Sequence, residues 1–288
     1  MLSPFRTTGP PPGSCSLPTV TWNIPHAVSG RRGPGRWGSK GDDKHGSAPR
    51  SSWGRNDLHR KRRQTGGRRA TAGVLFPIPG GRLEVAFTFF FRDQHVLDSI
   101  VQHVVPSVMG RSIIRVWDAG CASGEEAYSV AMLLYENLWP FACDNLRIDA
   151  TDIEENSQFA NTIASGMYAS ELLKGSPHQE LLAKYSRPAA RAGYVEFDVT
   201  LRNCIFYQRH DLLSLRSIGN NFSLVVCKNV LLHLAYEQRV EVIKMFYEAL
   251  SPGGYLALDE LQELPGEVAP LFVRVLADGK LYRKAESA

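Results

Sequence analysis

Ile113-Ile114-Arg115-Val116-Trp117 is a short β-branched run that stops at Asp118-Ala-Gly120-Cys-Ala122-Ser-Gly124, and a helical pattern follows from about Glu125 to Asn137. A strand that runs through a glycine turn into a helix must return to its sheet by a crossover, which makes the next strand parallel. The unit recurs. Leu146-Arg147-Ile148-Asp149-Ala150 reads as a strand with Thr151-Asp152 at its carboxyl end, followed by a helix from about Glu154 to Ser165. Phe222 to Cys227 reads as a buried strand, Tyr236 to Leu250 as a helix, and Tyr255 to Leu258 as the strand after the Ser251-Pro252-Gly253-Gly254 break. Apolar residues spaced three and four apart predict a helix over 93–109, ended or bent by Pro106. Residues 166–192 read as mixed, with two short helices. Strands are expected at 194–199 and 204–208, with a turn at Arg202-Asn203 between them. Ala277-Asp278-Gly279 between two apolar runs predicts a closing hairpin of 272–276 with 280–283. The expected class is α/β: a mostly parallel sheet with a C-terminal antiparallel hairpin and helices on both faces.

Residues 1–80 do not share this pattern. They hold 14 Lys/Arg against 3 Asp/Glu, a charge of +11, so with +4 for the whole chain residues 81–288 carry −7. They also contain 13 of the 25 Gly and 10 of the 17 Pro, a composition that buries too little apolar surface to offset its ordering entropy. We expect a disordered basic Gly/Pro/Arg-rich tail over 1–80 and one domain over 81–288, large enough for a single core. Arg60-Lys61-Arg62-Arg63 and Arg68-Arg69 would attract any polyanion, but Trp37 and Trp53 lack the spacing of a base-stacking platform, and nucleic acid is not an expected partner. The tail also resembles arbitrary translated sequence, and no Met occurs between Met1 and Met109. On its composition it is a candidate for sequence outside the natural protein, in which case the shorter protein begins at a non-Met start codon; the mass of the natively expressed protein tests this. With no apolar run of about 18 residues and no signal-peptide pattern, we expect a cytoplasmic protein without membrane insertion. Cys15, Cys121, Cys143, Cys204 and Cys227 are odd in number and widely spaced, which fits reduced thiols and no metal site.

The chemistry concentrates at the carboxyl ends of the predicted strands, where open α/β sheets bind ligands. The turn containing Asp118 and Gly120 lets a ligand approach the backbone and a helix N-terminus. Glu125 and Glu126 open that helix, so a pyrophosphate would be repelled and a cationic ligand with hydroxyls favoured. Asp152 ends the second strand, either as an acceptor for ribose hydroxyls or as a helix N-cap. S-adenosylmethionine, with a ribose, a sulfonium and no phosphate, meets both conditions. Asn229 follows the buried strand, facing a ligand or satisfying its own turn. Phe87-Thr88-Phe89-Phe90-Phe91 packs four Phe into five residues beside Arg92, whose guanidinium needs an anionic partner.

Thr88 to Asp93, Trp117 to Ser129, Ala150 to Ile153 and Cys227 to Leu231 match, in order, T-x-F-F-R-D, W-x-A-G-C-x-x-G-E-E-x-Y-S, A-T-D-I and C-[RK]-N-V-L. The chain therefore resembles the CheR family of protein-glutamate O-methyltransferases over about residues 87–284. The resemblance implies a Rossmann-like methyltransferase sheet and S-adenosyl-L-methionine as cofactor. It implies cofactor contacts at Thr88, Arg92, Glu126, Asp152, Asp211, Leu212, Lys228 and Asn229, and the cytoplasmic helices of methyl-accepting chemoreceptors as partners. Three departures stand out. The family's helical N-terminal domain, which presents basic residues to receptor helices, is replaced by the tail; His233 stands where the family often has Tyr; and Asp211 and Lys228 stand where Asn and Arg are usual.

A glutamate carboxylate, with a reference pKa of about 4.3, is ionised at neutral pH and needs no strong base. Catalysis is expected from positioning and exclusion of water. Arg92 is the candidate catalytic clamp, on the substrate's carboxylate or the cofactor's. His233 is a second candidate, orienting the substrate or simply packing. Three functions follow: a chemoreceptor methyltransferase, a divergent enzyme acting on another protein or a small carboxylate, and a non-catalytic module that senses S-adenosylmethionine.

Overall fold

The computed structural model of this chain describes residues 88–154, 157–277 and 279–286, together with the backbone of two strands at 74–77 and 83–86. All belong to one compact unit, Gly67–Ala288. Strands β1 (Val74–Pro77) and β2 (Leu83–Ala86) pair antiparallel and straddle the boundary expected between residues 80 and 81. Apart from β1, the expected tail lies outside the described residues.

Helix α1 (Gln94–Ser99) continues through a π-helical turn (Ile100–Val104) into α2 (Val105–Val108). Pro106 neither ends the run nor leaves it regular. Its ring and missing N–H disturb the ladder, and the N–H of Val105 reaches back five residues to the carbonyl of Ile100. Next come β3 (Ile114–Ala119), α3 (Glu125–Asn137), α4 (Pro140–Cys143), β4 (Leu146–Asp152) and α5 (Gln158–Ser165). Helix α5 starts four residues later than expected, because the Glu154 carboxylate accepts the amides of Gln158 (2.9 Å) and Phe159 (3.2 Å) and caps it there.

The mixed region holds α6 (Gln179–Tyr185) and a 3₁₀ turn, Ser170–Leu173. It also holds two short strands, β5 (Met167–Ala169) and β6 (Ser186–Pro188), which pair with β7 (Tyr194–Phe197), the strand expected at 194–199, in an antiparallel sheet of order β5-β7-β6. The turn expected at Arg202-Asn203 is instead helix α7 (Val199–Cys204), capped by Asp198, whose carboxylate accepts the Thr200 amide at 2.8 Å. Strand β8 (Ile205–Arg209) follows, then β9 (Phe222–Cys227), α8 (Tyr236–Ala249), β10 (Leu250–Leu258), β11 (Phe272–Arg274) and β12 (Leu281–Lys284). The Pro-Gly-Gly break survives as a register shift inside β10, between Leu250 and Tyr255.

The main sheet has the order β11-β12-β10-β9-β3-β4-β8. Strands β10, β9, β3, β4 and β8 run parallel, and β12 and β11 close the edge as the expected antiparallel hairpin. Alternation in β9 builds both layers: Leu224 and Val226 face the core under α3, while Val225 and Cys227 face the core under α8. Fully buried Trp117 anchors the α8 side, edge-on to Phe246 at 5.1 Å, with its indole N–H donating to Thr151 Oγ1 at 2.9 Å. Burying such a ring stabilises the fold by roughly 2–3 kcal/mol. From β3 the chain proceeds outward to β4 and β8, and from β9 outward to β10 and the hairpin. The strand order therefore reverses between β3 and β9, and the crevice of a doubly wound sheet opens at their carboxyl ends.

Candidate functional site

Four chain segments converge on that crevice. The first is the turn after β3. Gly120 has φ +97°, and a Cβ there would lie 2.1 Å from Val230 Cγ2, so this glycine lets the turn after β3 touch the turn after β9. The amides of Gly120 and Cys121 donate to the Thr151 carbonyl at 2.8 and 3.0 Å, that of Ala122 to Asp152 Oδ2 at 2.9 Å, and that of Gly124 to the Cys121 carbonyl at 2.9 Å. A phosphate-binding loop must aim such N–H groups at its ligand. Here they are consumed inside the protein.

The second segment is the end of β4. Asp152 accepts the Ala122 amide on Oδ2 and its neighbour Ile153's amide at 2.8 Å on Oδ1. It does not cap α5, since Glu154 does, so the N-cap reading of Asp152 falls away. Burial raises its pKa, against the pull of those two backbone amides and of the Glu154 amide. The His210 amide donates to the Asp152 carbonyl at 2.8 Å, which brings Asp211 and Leu212 alongside. Asp211 itself caps the 3₁₀ turn that follows, accepting the Leu213 amide at 2.8 Å, and Leu212 is buried. An open hollow of about 530 Å³ beside this turn is lined by Arg209, His210, Asp211 and Arg216 among others. It shares only Asp211 with the candidate residues and is not the crevice between β3 and β9.

The third is the turn after β9. Asn229 has φ +59°, and its amide donates to Asp259 Oδ2 at 2.9 Å. Lys228 is the hub of the site. Its side chain is 1% exposed, and its ammonium lies 2.8 Å from Glu126 and 3.5 Å from Asp93 while donating to the Arg92 carbonyl at 2.7 Å. Burial works to lower its pKa, but Glu126, then Asp93 and Asp118, outweigh burial and raise it.

The fourth is the aromatic segment before α1. Phe91 and Asp93 have φ of +59° and +56°, a sharp double bend held by the Phe91 amide on Ser129 Oγ at 2.9 Å. Buried Phe90 packs against Tyr168 and Phe197, so that ring belongs to the core. Half-buried Arg92 has its guanidinium 5.7 Å from the Phe89 ring centroid, and half-buried Thr88 hydrogen-bonds the Glu125 carboxylate.

Asp118, Glu126, Lys228, Asn229, Asp93 and the Arg92 backbone thus form one cluster, with Asp152 tied to it through the Gly120–Gly124 turn. His233 stands apart, exposed at the end of a 3₁₀ turn, Leu231–His233. Glu125 and Glu126 are not equivalent. Glu125 is 1% exposed, holds the Ser123 hydroxyl at 2.7 Å, and has its pKa raised chiefly by burial; only Glu126 reaches Lys228. The sequence reading missed Asp93 and Asp259. For Asp93 the T-x-F-F-R-D motif held the signal, whereas Asp259 carries no motif and is found only through its bond to Asn229.

Asp118 is 1% exposed, and no N–H or hydroxyl donor reaches either carboxyl oxygen. Burial, then the Glu126 charge, push its pKa well above the ordinary carboxylate range. A carboxyl whose folded pKa is raised costs stability as the pH rises above the unfolded value. Asp118→Asn is therefore expected to raise the melting temperature of the ligand-free protein at neutral pH. The gain should shrink as the pH falls toward the ordinary carboxylate range, and a pH series of thermal melts measures it.

The orphaned Asp118 oxygens, the net negative surroundings and the consumed loop amides fit a cationic, phosphate-free cofactor such as S-adenosylmethionine. Among the described residues no cluster of His, Cys, Asp and Glu is arranged to hold a metal, and no helix is long and apolar enough to cross a membrane. The family described as CheR methyltransferase, SAM binding domain, matches residues 86–273. An uncharacterized 104.1 kDa protein from Rhodobacter capsulatus is 31% identical over 60% of this chain and 18% of its own length. Chemotaxis protein methyltransferase 2 of Vibrio cholerae is 29% identical over 63% of this chain and 64% of its own. The chain thus spans less than two thirds of the length of either. Among solved structures, the rRNA methyltransferase aviRa from Streptomyces viridochromogenes has a TM-score of 0.43 and 16% identity over 75% of this chain and 89% of that one. With the matched family spanning the whole crevice and most of the main sheet, this chain belongs to the CheR methyltransferases, whose S-adenosylmethionine-binding domain it carries.

Proposed function

We propose that this chain transfers a methyl group from S-adenosylmethionine to glutamate side chains on the cytoplasmic helices of methyl-accepting chemoreceptors. The observation that carries the reading is the crevice between β3 and β9, where the turn's amides are consumed internally and the Lys228 ammonium pairs with Glu126 and Asp93 beside the buried Asp118. Family membership and the chemotaxis methyltransferases among the relatives support the choice of acceptor.

When bound, S-adenosylmethionine supplies a methyl group on a sulfonium that a carboxylate oxygen takes by in-line displacement. The chain's own residues then have to bind, orient and exclude water. Asp152 keeps lone pairs beyond its bonds from the Ala122, Ile153 and Glu154 amides and offers them to ribose hydroxyls. Thr88, Gly120, Asp211, Leu212 and Asn229 line the remaining contacts. Glu126 and Lys228 set the charge at the crevice, and Arg92 clamps a carboxylate at its mouth. His233, exposed on the turn that follows Asn229, orients the acceptor. An ionised glutamate needs no proton removed, so no general base is assigned.

Incubating the full chain with methyl-labelled S-adenosylmethionine and receptor cytoplasmic fragments is expected to give label released by mild base, the property of a methyl ester. Label that survives base would exclude ester formation, and label confined to another acceptor would exclude the receptor. Asp152→Ala is expected to weaken cofactor binding by roughly 1–3 kcal/mol, read by calorimetric titration. Unchanged affinity would remove the ribose assignment.

A further inference from the structure

The charges around Lys228 do not balance. Glu126 lies 2.8 Å and Asp93 3.5 Å from its ammonium, and Asp118 belongs to the same electrostatic group. Among the described residues, the Lys228 ammonium thus pairs with two carboxylates and acts electrostatically on a third, Asp118. Asp118 is the least provided for, 1% exposed with neither oxygen receiving a hydrogen bond from an N–H or hydroxyl donor and the Glu126 carboxyl as its neighbour. An ionised carboxylate cannot persist unpaired at that depth, because its desolvation exceeds what a shared ammonium returns. The group must hold either a proton or a second cation.

We propose that Asp118 carries a proton in the ligand-free protein and gives it up to solvent when a cationic group of the ligand enters the crevice. The exchange makes Asp118 a residue that selects charged ligands over neutral ones of the same shape. It rests on the cofactor reading above and adds to it a proton count. One positive charge enters with the ligand and one leaves as a proton, so the buried cluster keeps its net charge. No bond other than the carboxyl O–H is broken.

The groups facing Asp118 agree with this. Glu126 from α3, by its charge and by accepting a hydrogen bond from the protonated Asp118 carboxyl, and Asp152 from β4 both disfavour its ionisation, and Lys228 after β9 favours it. The neighbouring thiol of Cys121 is itself pushed up by burial and by Asp118, so it contributes no charge near neutral pH. Asp93 before α1 lies close enough to Lys228 to compete for its charge. Only an added cation changes the balance.

The test is calorimetric titration of the full chain near neutral pH in buffers of different ionisation enthalpy, which reads the protons released per ligand bound. S-adenosylmethionine is expected to release about one proton per site. Methylthioadenosine, which keeps the adenosine and thioether but carries no cation, is expected to release none. S-adenosylhomocysteine separates the two cations of the substrate: release with it assigns the displacement to the ammonium, and release with S-adenosylmethionine alone assigns it to the sulfonium. Asp118→Asn is expected to bind S-adenosylmethionine with the proton release gone, its folding checked by the thermal melts described above. Binding to the unsubstituted chain without proton release, or equal release by methylthioadenosine or by Asp118→Asn, would overturn the proposal and leave the cofactor reading standing. No binding of S-adenosylmethionine would remove both.

Discussion

Lys228→Met is expected to destabilise the domain by about 3–5 kcal/mol at neutral pH, the usual cost of removing one partner from a buried ion pair. Typical domains hold about 5–15 kcal/mol in total, so the variant should lie close to its folding threshold. The methionine fills much of the same volume, which makes the loss electrostatic rather than a cavity effect. Glu126 and Asp93 would lose the ammonium that now lies within 4 Å of each, and the Arg92 carbonyl would lose its donor. The pH dependence follows from the direction of the lysine's shift. Its folded pKa is raised, so its contribution is fully present below the ordinary lysine range and is lost only as the pH climbs through the folded value. In the variant the stranded carboxyl groups take up protons as the pH falls. The deficit should therefore shrink on acidification, and urea denaturation at several pH values measures it. Lys228→Arg keeps the charge, as the family pattern allows, and is expected to retain most of the stability. A pH-independent deficit would show that Lys228 acts through packing alone.

Gly120→Ala is the second large expected effect, roughly 2–4 kcal/mol. Two costs combine: a side chain forced to φ +97°, and a Cβ placed 2.1 Å from Val230 Cγ2. They can be separated. Adding Val230→Ala removes the Cγ2 atom and so the collision, but not the backbone strain. The double variant should recover part of the stability lost by Gly120→Ala, with an interaction energy of about 1–2 kcal/mol. The readout is the urea midpoint at unchanged slope. Additivity of the two substitutions would mean that the turns after β3 and β9 do not touch as described.

The parallel core was legible because its signals are local. The run from Ile114 to Trp117, the glycine turn and the apolar face of α3 each declare a period within a dozen residues. The Asp-Gly hairpin was equally plain. The sheet of β5, β6 and β7 was not, since Met167–Ala169 and Ser186–Pro188 are three residues long and too short to show alternation. Asp198 held a cap signal for α7, yet Arg202-Asn203 reads as a turn when that cap is overlooked. In the site, Asp152 and Glu154 compete for one role, and propensity favours Asp at a cap. Geometry gave the cap to Glu154, whose longer side chain reaches two amides of α5. Lys228 was placed at the crevice by motif, but composition alone would assign a lysine to solvent. What buries it comes from Asp93, Asp118 and Glu126, up to 135 residues away in the chain, and no window along the sequence contains them all.

That dispersal has a consequence for how the protein responds to its ligand. The crevice takes pieces from before α1, after β3, after β4 and after β9, and none of them forms a partial site alone. A chain with an incompletely assembled sheet has nothing with which to grip the cofactor. Occupancy therefore protects the native state against global unfolding, by about 2.7 kcal/mol when free ligand reaches a hundredfold of its dissociation constant. It offers a nascent or damaged sheet no such shelter. In a cell whose supply of methyl donor rises and falls, the lifetime of this domain would rise and fall with it.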